Sequence, residues 1–211
     1  MKSVRILAVL MSCLPAALAQ RWEFGGGVGG GFYTPKDITS PEGTASAKIQ
    51  TNIAGSAWAA NSKGRWGGEL RYDYQRGDLA LSQNSTQAVF GGDSHAMHYD
   101  FLLQSTSTEA RVRPFVSFGG GIKIYRGTGE ETVTQPLSGI ALLTKTRDMQ
   151  PMVSIGAGFK LALSPRVQLR VELRDALTPF PKQVISPAAN GSVGAGWVND
   201  FVPMVGVVFA N

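Results

Sequence analysis

The sequence contains a single cysteine, Cys13, which lies close to the N-terminus. A disulfide bond within the chain is therefore excluded, because it requires two cysteines. If the chain is exported, a well-packed core or a membrane has to supply the stability that disulfide bonds give to many small secreted proteins.

Long hydrophobic runs are missing after the N-terminal segment. Hydrophobic residues make up 43% of the chain, but no later run approaches the roughly 20 apolar residues that a membrane-spanning helix needs. If the chain crosses a membrane, it must cross as the strands of a closed barrel, since closure leaves no backbone group unpaired. Such strands need about 9 to 11 residues each.

The N-terminal segment 1–19 has the organisation of a secretory signal peptide. Lys2 and Arg5 form a basic start, an apolar run covers 6–18, and Ala17-Leu18-Ala19 is a small-residue cleavage site. We predict cleavage before Gln20, which leaves 211 − 19 = 192 residues in one domain, 20–211, and lowers the formal charge by two, from +5 to +3.

Two other interpretations of this segment were open. A spanning helix is excluded, because the run is shorter than about 20 residues and Pro15 interrupts it. A lipoprotein signal keeps some support, since Leu10-Met11-Ser12-Cys13 loosely resembles a lipidation box.

The segment 149–175 shows the pattern on which the fold prediction depends. Apolar residues occupy alternate, odd-numbered positions on both sides of Ser164 and Pro165. A period of two is the period of a strand. Because opposed residues of an antiparallel pair share a face, we predict a hairpin with a three-residue connection, 163–165, that pairs Leu161 with Val167 and Phe159 with Leu169.

The same alternation recurs along the chain and predicts eight strands. Their predicted ranges are 21–33, 47–60, 65–76, 95–104, 111–126, the two arms of 149–175, and 199–209. Long polar segments (34–46, 77–94, 127–148 and 176–198) alternate with short turns, and residues 140–143 could extend the sixth strand. Alternation of short turns with long external loops is typical of outer-membrane barrels. We predict an all-β fold, an eight-stranded antiparallel up-and-down transmembrane β-barrel.

The aromatic residues agree with a membrane-embedded barrel. They fall near the two ends of the predicted strands, where two interfacial girdles would lie. The set at the short-turn end is Trp22, Phe24, Trp66 and Phe209, and the set at the long-loop end is Phe32, Tyr72, Tyr74 and Phe201.

In segments such as RWGGELRYDY and RPFVSFGGGIKIYRG, the chain resembles the small outer-membrane barrels related to the OmpA transmembrane domain and to OmpX. The resemblance covers Arg21 to Phe209 and implies export to the cell outer membrane, with a non-enzymatic, envelope-structural or adhesion-like role. It also implies outer-membrane lipid, including lipopolysaccharide, and the barrel-assembly machinery as partners. The chain departs from the family pattern at its end, where Ala210 and Asn211 follow the terminal aromatic. We expect Phe209 to act as the assembly signal, and we expect a monomer; the ligand of the external loops is not defined.

The positions that face inward in the predicted strands include residues of both charge signs. An eight-stranded barrel is only wide enough for its side chains to fill it, so we expect these charges to pair and to plug the lumen around Glu69, Arg71, Arg170 and Glu172. The other members of the predicted inward set are Glu23, Lys48, Asp73, Asp100, Arg113, Lys123, Lys160 and Arg174. On the outward parity, Arg76, Arg126 and Arg147 lie at the long-loop ends, where we expect them to contact lipid phosphates.

Three other classes of function have less support in the sequence. Some barrels that resemble this one are lipid A deacylases with a His-Ser-acid constellation, and His95, His98, Ser94 and Asp100 lie close in sequence, although not at the spacing of those enzymes. A second alternative is a soluble, lipocalin-like exported binding barrel. Nucleic-acid binding lacks a basic patch, and no metal-ligand or cofactor motif is evident: the string of Gly25, Gly27 and Gly30 is not followed by a helix pattern.

Overall fold

Alternation of apolar with small or charged residues produces fifteen strands in the residues that the computed structural model describes, which are 21–50, 52–106, 110–132, 134–194 and 196–211. The predicted signal peptide, with Cys13, lies outside them. The strands are β1 (Arg21–Tyr33), β2 (Lys36–Ser40), β3 (Gly43–Ile49), β4 (Asn52–Lys63), β5 (Trp66–Arg76), β6 (Leu79–Gln83), β7 (Thr86–Phe90), β8 (Gly92–Gln104), β9 (Val112–Gly127), β10 (Ala141–Leu143), β11 (Arg147–Ala162), β12 (Val167–Pro179), β13 (Ile185–Pro187), β14 (Ser192–Val193) and β15 (Trp197–Ala210). Across these ranges no helix is long and apolar enough to cross a membrane.

Eight of these strands close into one barrel. The order around the barrel is β1-β15-β12-β11-β9-β8-β5-β4, and β4 pairs with β1 to complete the ring. Every neighbouring pair is antiparallel. Apart from β1 and β15, the first and last barrel strands, each pair joins barrel strands that are consecutive along the chain. The predicted eight-stranded, antiparallel, up-and-down barrel is confirmed.

Two of the predicted strand details are wrong. The predicted second strand, 47–60, combines the end of β3 with most of β4, because β3 ends at Ile49 in the cap sheet and β4 begins at Asn52 in the barrel. In the β11–β12 hairpin, Leu161 lies opposite Leu169 and Phe159 opposite Val171, so the register is shifted by two residues while the parity is kept. The reason is the turn: the amides of Leu163 and Ser164 both donate to the carbonyl of Val167, which places the connection one residue later than predicted.

The barrel interior is narrow. Glycine residues in the barrel wall leave room for the large inward side chain of Trp58. The indole of Trp58 points inward and is buried. A Cβ atom on Gly25 would lie 2.5 Å from this ring, and one on Gly206 would lie 2.6 Å from it. Two of the wall glycines are therefore required by close packing, as expected for glycines in a small curved sheet.

The four long connections are not irregular loops. They carry the other seven strands, which form a five-stranded sheet in the order β14-β2-β3-β6-β7 and a two-stranded sheet of β10 and β13. Residues 141–143 pair with 185–187 and do not extend β11, which corrects the expectation for 140–143. We call this part of the molecule the cap.

Apolar side chains join the cap to the long-loop end of the barrel, which we call the upper end. They form one buried cluster, in which Ile38, Leu81 and Val184 have no exposed surface. Tyr33 and Tyr125, at the ends of β1 and β9, belong to the same cluster and so connect it to the barrel interior. The connections that we predicted to be polar segments therefore contain an apolar core of their own.

Candidate functional site

The most distinctive chemistry of the molecule lies inside the barrel. Because side chains alternate across each strand, the inward positions of all eight barrel strands meet in the lumen. Within the described residues, six carboxylates pair there with six arginines or lysines and with His98. The carboxylates are those of Glu23, Glu69, Asp73, Asp100, Glu172 and Asp200, and the arginines and lysines are Arg71, Arg113, Lys123, Lys160, Arg170 and Arg174.

The four residues that we predicted as the centre of the lumen network are brought together. Arg71 lies 2.5 Å from Glu172 and 3.3 Å from Glu69. Arg170 lies 2.6 Å from Glu172 and also pairs with Glu69. The strands that carry them, β5 and β12, stand four places apart in the ring of eight, so the Arg71–Glu172 and Arg170–Glu69 pairs cross the full width of the lumen.

Trp58 supports the two arginines of this central network. Their guanidinium carbons lie 4.9 Å (Arg71) and 4.7 Å (Arg170) from the centre of the indole ring. Cations over an aromatic face at this distance are attracted by the ring quadrupole. The indole ring thus stabilises both guanidinium groups, which are buried away from water.

A second group of charges lies nearer the short-turn end of the barrel. Glu23 on β1 accepts from Lys160 and, at 2.7 Å, from Arg113. Arg113 also donates to the side-chain oxygen of Gln168 at 2.7 Å. Each partner comes from a different strand, so this group also joins walls that are not adjacent in sequence.

A third group closes the upper end of the lumen. Lys123 donates to Asp200 at 2.5 Å, and Gln75 donates to the same carboxylate at 2.8 Å. The hydroxyl of Tyr33 donates to the Gln75 side-chain oxygen at 2.5 Å. The ammonium of Lys123 also lies 4.8 Å from the centre of the Tyr33 ring. Because Tyr33 belongs to the apolar cluster of the cap, the charged group and that cluster are in direct contact. Asp200 and Gln75 were missed by sequence reasoning, although both lie on the inward parity of predicted strands.

The histidine and serine side chains do not form a catalytic constellation. His98 points into the lumen and bonds to Asp73 at 2.8 Å and to Asp100 at 3.0 Å. Ser94 also points inward, where its hydroxyl lies 3.3 Å from that of Tyr33. His95 belongs to the opposite parity and bonds to Tyr72 on the outer face. The barrel wall therefore separates Ser94 from His95, so these two neighbours in sequence do not form a His-Ser pair.

The space left between the lumen side chains is small. A cavity of about 10 Å³ lies between the central and upper groups, among residues that include Arg71, Lys123, Arg174 and Asp200. Another cavity of about 10 Å³ lies below the cap, beside Tyr33 and Tyr125. A volume of this size accommodates about one water molecule.

The outer face of the barrel has the opposite chemistry. Apolar side chains of the barrel strands point outward and stay exposed, among them Val28 (67% exposed) and Ile53 (75%). The eight aromatic residues of the two predicted girdles all point outward and are exposed. Phe209 is one of them and lies beside Phe24 and Val167 at the short-turn end.

The three predicted rim arginines lie on this outer face, at the long-loop end. Arg76 is opposite Asp93, Asp93 is opposite Arg126, and Arg126 is opposite Arg147 on four neighbouring strands. Arg126 makes a bidentate ion pair with Asp93. One residue of the predicted inward set lies elsewhere: Lys48 is exposed on β3 in the cap, because the strand that was expected to carry it into the barrel ends at Ile49.

No protein-family model matches the sequence, and no curated protein matches it either. Solved structures do match. The outer membrane protein OprG from Pseudomonas aeruginosa superposes with a TM-score of 0.59 at 10% identity, over 92% of this chain and 96% of that one. Neisserial surface protein A superposes with a TM-score of 0.54 at 10% identity, over 90% of this chain and 96% of that one. Identities this low show the fold alone: the chain has the fold of the small outer-membrane β-barrels, as its resemblance to the OmpA transmembrane domain and OmpX implied.

Proposed function

We propose that the chain is an exported, non-enzymatic outer-membrane barrel with a closed interior, which carries a rigid cap on the outer side for an envelope-structural or adhesion-like role. The observation that carries this proposal is the inverted polarity of the barrel, with apolar residues outside and paired charges inside. An apolar face of this extent is far larger than the apolar patches that soluble monomers expose. A lipid environment removes the free-energy cost of exposing this apolar face to water.

The same observation weighs against the soluble, lipocalin-like alternative. A soluble binding barrel places its polar side chains in water and its apolar side chains around a ligand cavity. Here the inward positions carry paired charges with small apolar clusters between them, and each lumen cavity has room for about one water. A small apolar ligand would find no space in these cavities.

The lumen supports a role that does not depend on transport. Buried charges are costly unless they are paired and hydrogen-bonded, and the lumen carboxylates have partners from two or more strands. Above them, the apolar cluster of the cap covers the upper opening. The charge network and the cap therefore act as two successive closures between the two ends of the barrel.

The cap supports a role in contacts outside the cell. Long external loops of barrels are commonly irregular, whereas this chain forms a five-stranded sheet on its own apolar core. A sheet with a core presents the same surface to every partner, which lowers the entropy cost of binding. This rigidity is the basis for preferring a surface-interaction role to a purely structural one.

Membrane fractionation, together with a heat-modifiability gel and planar-bilayer recording, tests the proposal. We expect the full chain in the outer-membrane fraction, a shift in migration upon boiling, and no steady large conductance. Recovery in the soluble fraction without detergent would refute the membrane location. A large, steady conductance would leave the location intact and refute the closed interior.

A further inference from the structure

The row of charged residues on the outer face has an arrangement that its sequence positions alone do not show. Arg76, Asp93, Arg126 and Arg147 lie directly opposite one another on β5, β8, β9 and β11. Opposed Cα atoms on antiparallel strands are about 4.5 to 5.5 Å apart. The four side chains therefore stand in one line across the wall, and we call this line the rim row.

The charges of the rim row do not cancel. Asp93 accepts two hydrogen bonds from Arg126, at 2.7 and 2.8 Å. Neither Arg76 nor Arg147 makes an ion pair with any residue in the described part of the chain. Three arginines and one aspartate leave a net charge of +2, and like charges directly opposite each other, as at Arg126 and Arg147, destabilise a strand pair. An anion between these two guanidinium groups would remove the repulsion.

The residues just below the rim row place it at the edge of the apolar belt. The next outward row consists of Tyr74, His95, Ile124 and Met149. Tyr72 bonds to Nδ1 of His95 at 2.7 Å, while Nε2 of His95 is buried, has no hydrogen-bond partner among the described residues, and lies 3.5 Å from Asp93. On β9 and β11, the charged groups of the rim row thus give way to the apolar side chains of Ile124 and Met149 within two residues. A molecule bound at this edge would meet cations with one end and apolar side chains with the other.

We propose that the rim row binds the phosphate monoester of a membrane lipid, with the phosphate between Arg126 and Arg147 and the acyl chains along Ile124 and Met149. The inference rests on the proposed membrane location. Guanidinium groups bind phosphate oxygens through paired, charge-assisted hydrogen bonds. Asp93 holds Arg126 from the side away from Arg147, which keeps its guanidinium in place at the edge of the belt. A lipid gains both the charged and the apolar contacts, whereas free inorganic phosphate gains only the first.

Native mass spectrometry of the folded chain in a neutral detergent tests the assignment. The probes are phosphatidic acid, which carries a phosphate monoester, and phosphatidylcholine with the same acyl chains. We expect the wild type to prefer phosphatidic acid. Arg147→Gln should weaken that binding by about tenfold, the equivalent of about 1.4 kcal/mol and close to the lower value for a hydrogen bond to a charged group.

Two further variants make the test specific. Arg166→Gln removes another exposed arginine, at the other end of the barrel, and should leave phosphatidic acid binding unchanged. Asp93→Asn raises the net charge of the rim row from +2 to +3, while the amide oxygen can still accept a hydrogen bond from Arg126 and keep it in place. This variant should strengthen binding by several fold, a direction that a loss of structure would not produce. Equal losses in Arg147→Gln and Arg166→Gln would show general charge attraction and overturn the site.

Inorganic phosphate provides the remaining control. Displacement of phosphatidic acid by an equal concentration of inorganic phosphate would assign the site to free phosphate and overturn the lipid assignment. Each variant is first checked for membrane insertion by its migration shift upon boiling. If the wild type fails to insert, the proposed function is wrong, whereas insertion without a preference for the monoester contradicts only the lipid site.

Discussion

Removal of one central carboxylate is the most direct measure of how far the lumen network stabilises the barrel. Glu172 contacts Arg71 at 2.5 Å and Arg170 at 2.6 Å, and its side chain is 2% exposed. In Glu172→Ala, the central group changes from two carboxylates and two guanidiniums to one carboxylate and two guanidiniums. Breaking a buried pair by removing one partner typically costs about 3 to 5 kcal/mol, because the remaining charge is uncompensated.

The structure favours the lower part of that range. Arg71 and Arg170 both retain Glu69, and Arg71 also retains Asp73 at 2.8 Å. We therefore expect a loss of about 3 kcal/mol, which corresponds to more than a hundredfold change in the ratio of folded to unfolded chains. With a urea m value of about 1 to 3 kcal/mol/M, the unfolding midpoint falls by at least about 1 M.

Urea titration in lipid vesicles, followed by the migration shift upon boiling, measures this loss. Glu130→Ala removes an exposed carboxylate in the third long connection and serves as the matched control, with an expected change within about 0.5 kcal/mol. The double variant Glu172→Met/Arg170→Met should be less destabilised than the sum of its single variants, since both members of a pair leave together. An unchanged midpoint in Glu172→Ala would refute the network, because a hydrated interior with screened charges loses only about 1 kcal/mol or less.

Three other predictions concern the end of the chain, the cap and the outer face. Phe209→Ala should lower the yield of barrel in cells, whereas truncation of 210–211 should be tolerated; equal membrane yields of the two variants would contradict a role of Phe209 in assembly. Leu81→Ala, at a fully buried position in the cap, should cost about 2 to 5 kcal/mol and expose the cap to proteolysis, while the exposed Val89→Ala should not; equal protease resistance would argue against a separate apolar core. Ile155→Arg, at the middle of the outer face of β11, should cost about 2 to 4 kcal/mol in lipid, and an unchanged urea midpoint in vesicles would show that this face does not meet lipid.

The barrel could be predicted from the sequence because its signal is local. A period of two runs along most of the barrel strands, and parity alone decides which side chains share a face. The central charges followed from the same rule, since Glu69 and Arg71 on one strand and Arg170 and Glu172 on another hold the inward parity. Asp200 carried the same signal and could have been included.

The cap could not be predicted because its signal is not local. Its strands are two to seven residues long, too short for a reliable period. The pairs β2–β3 and β6–β7 are local hairpins, but the other partners are far away in sequence: β3 pairs with β6, β10 with β13, and β14 with β2. The rim row had the same difficulty, because the opposition of Arg126 to Arg147 depends on the register between β9 and β11, and register is set by turns and packing more than by composition.

The position of the central ion pairs has a consequence for the order of assembly. β5 and β12 share no backbone hydrogen bonds, so only their side chains connect them across the lumen. Glu69 lies in the first half of the chain, and both of its partners on β12, Arg170 and Arg174, lie in the last quarter. Until β12 joins the ring, the carboxylate of Glu69 has only Arg71 of its own strand as an ionic partner. The pairs that cross the lumen therefore form late, together with ring closure, and a barrel without β12 leaves Glu69 without two of its three cationic partners.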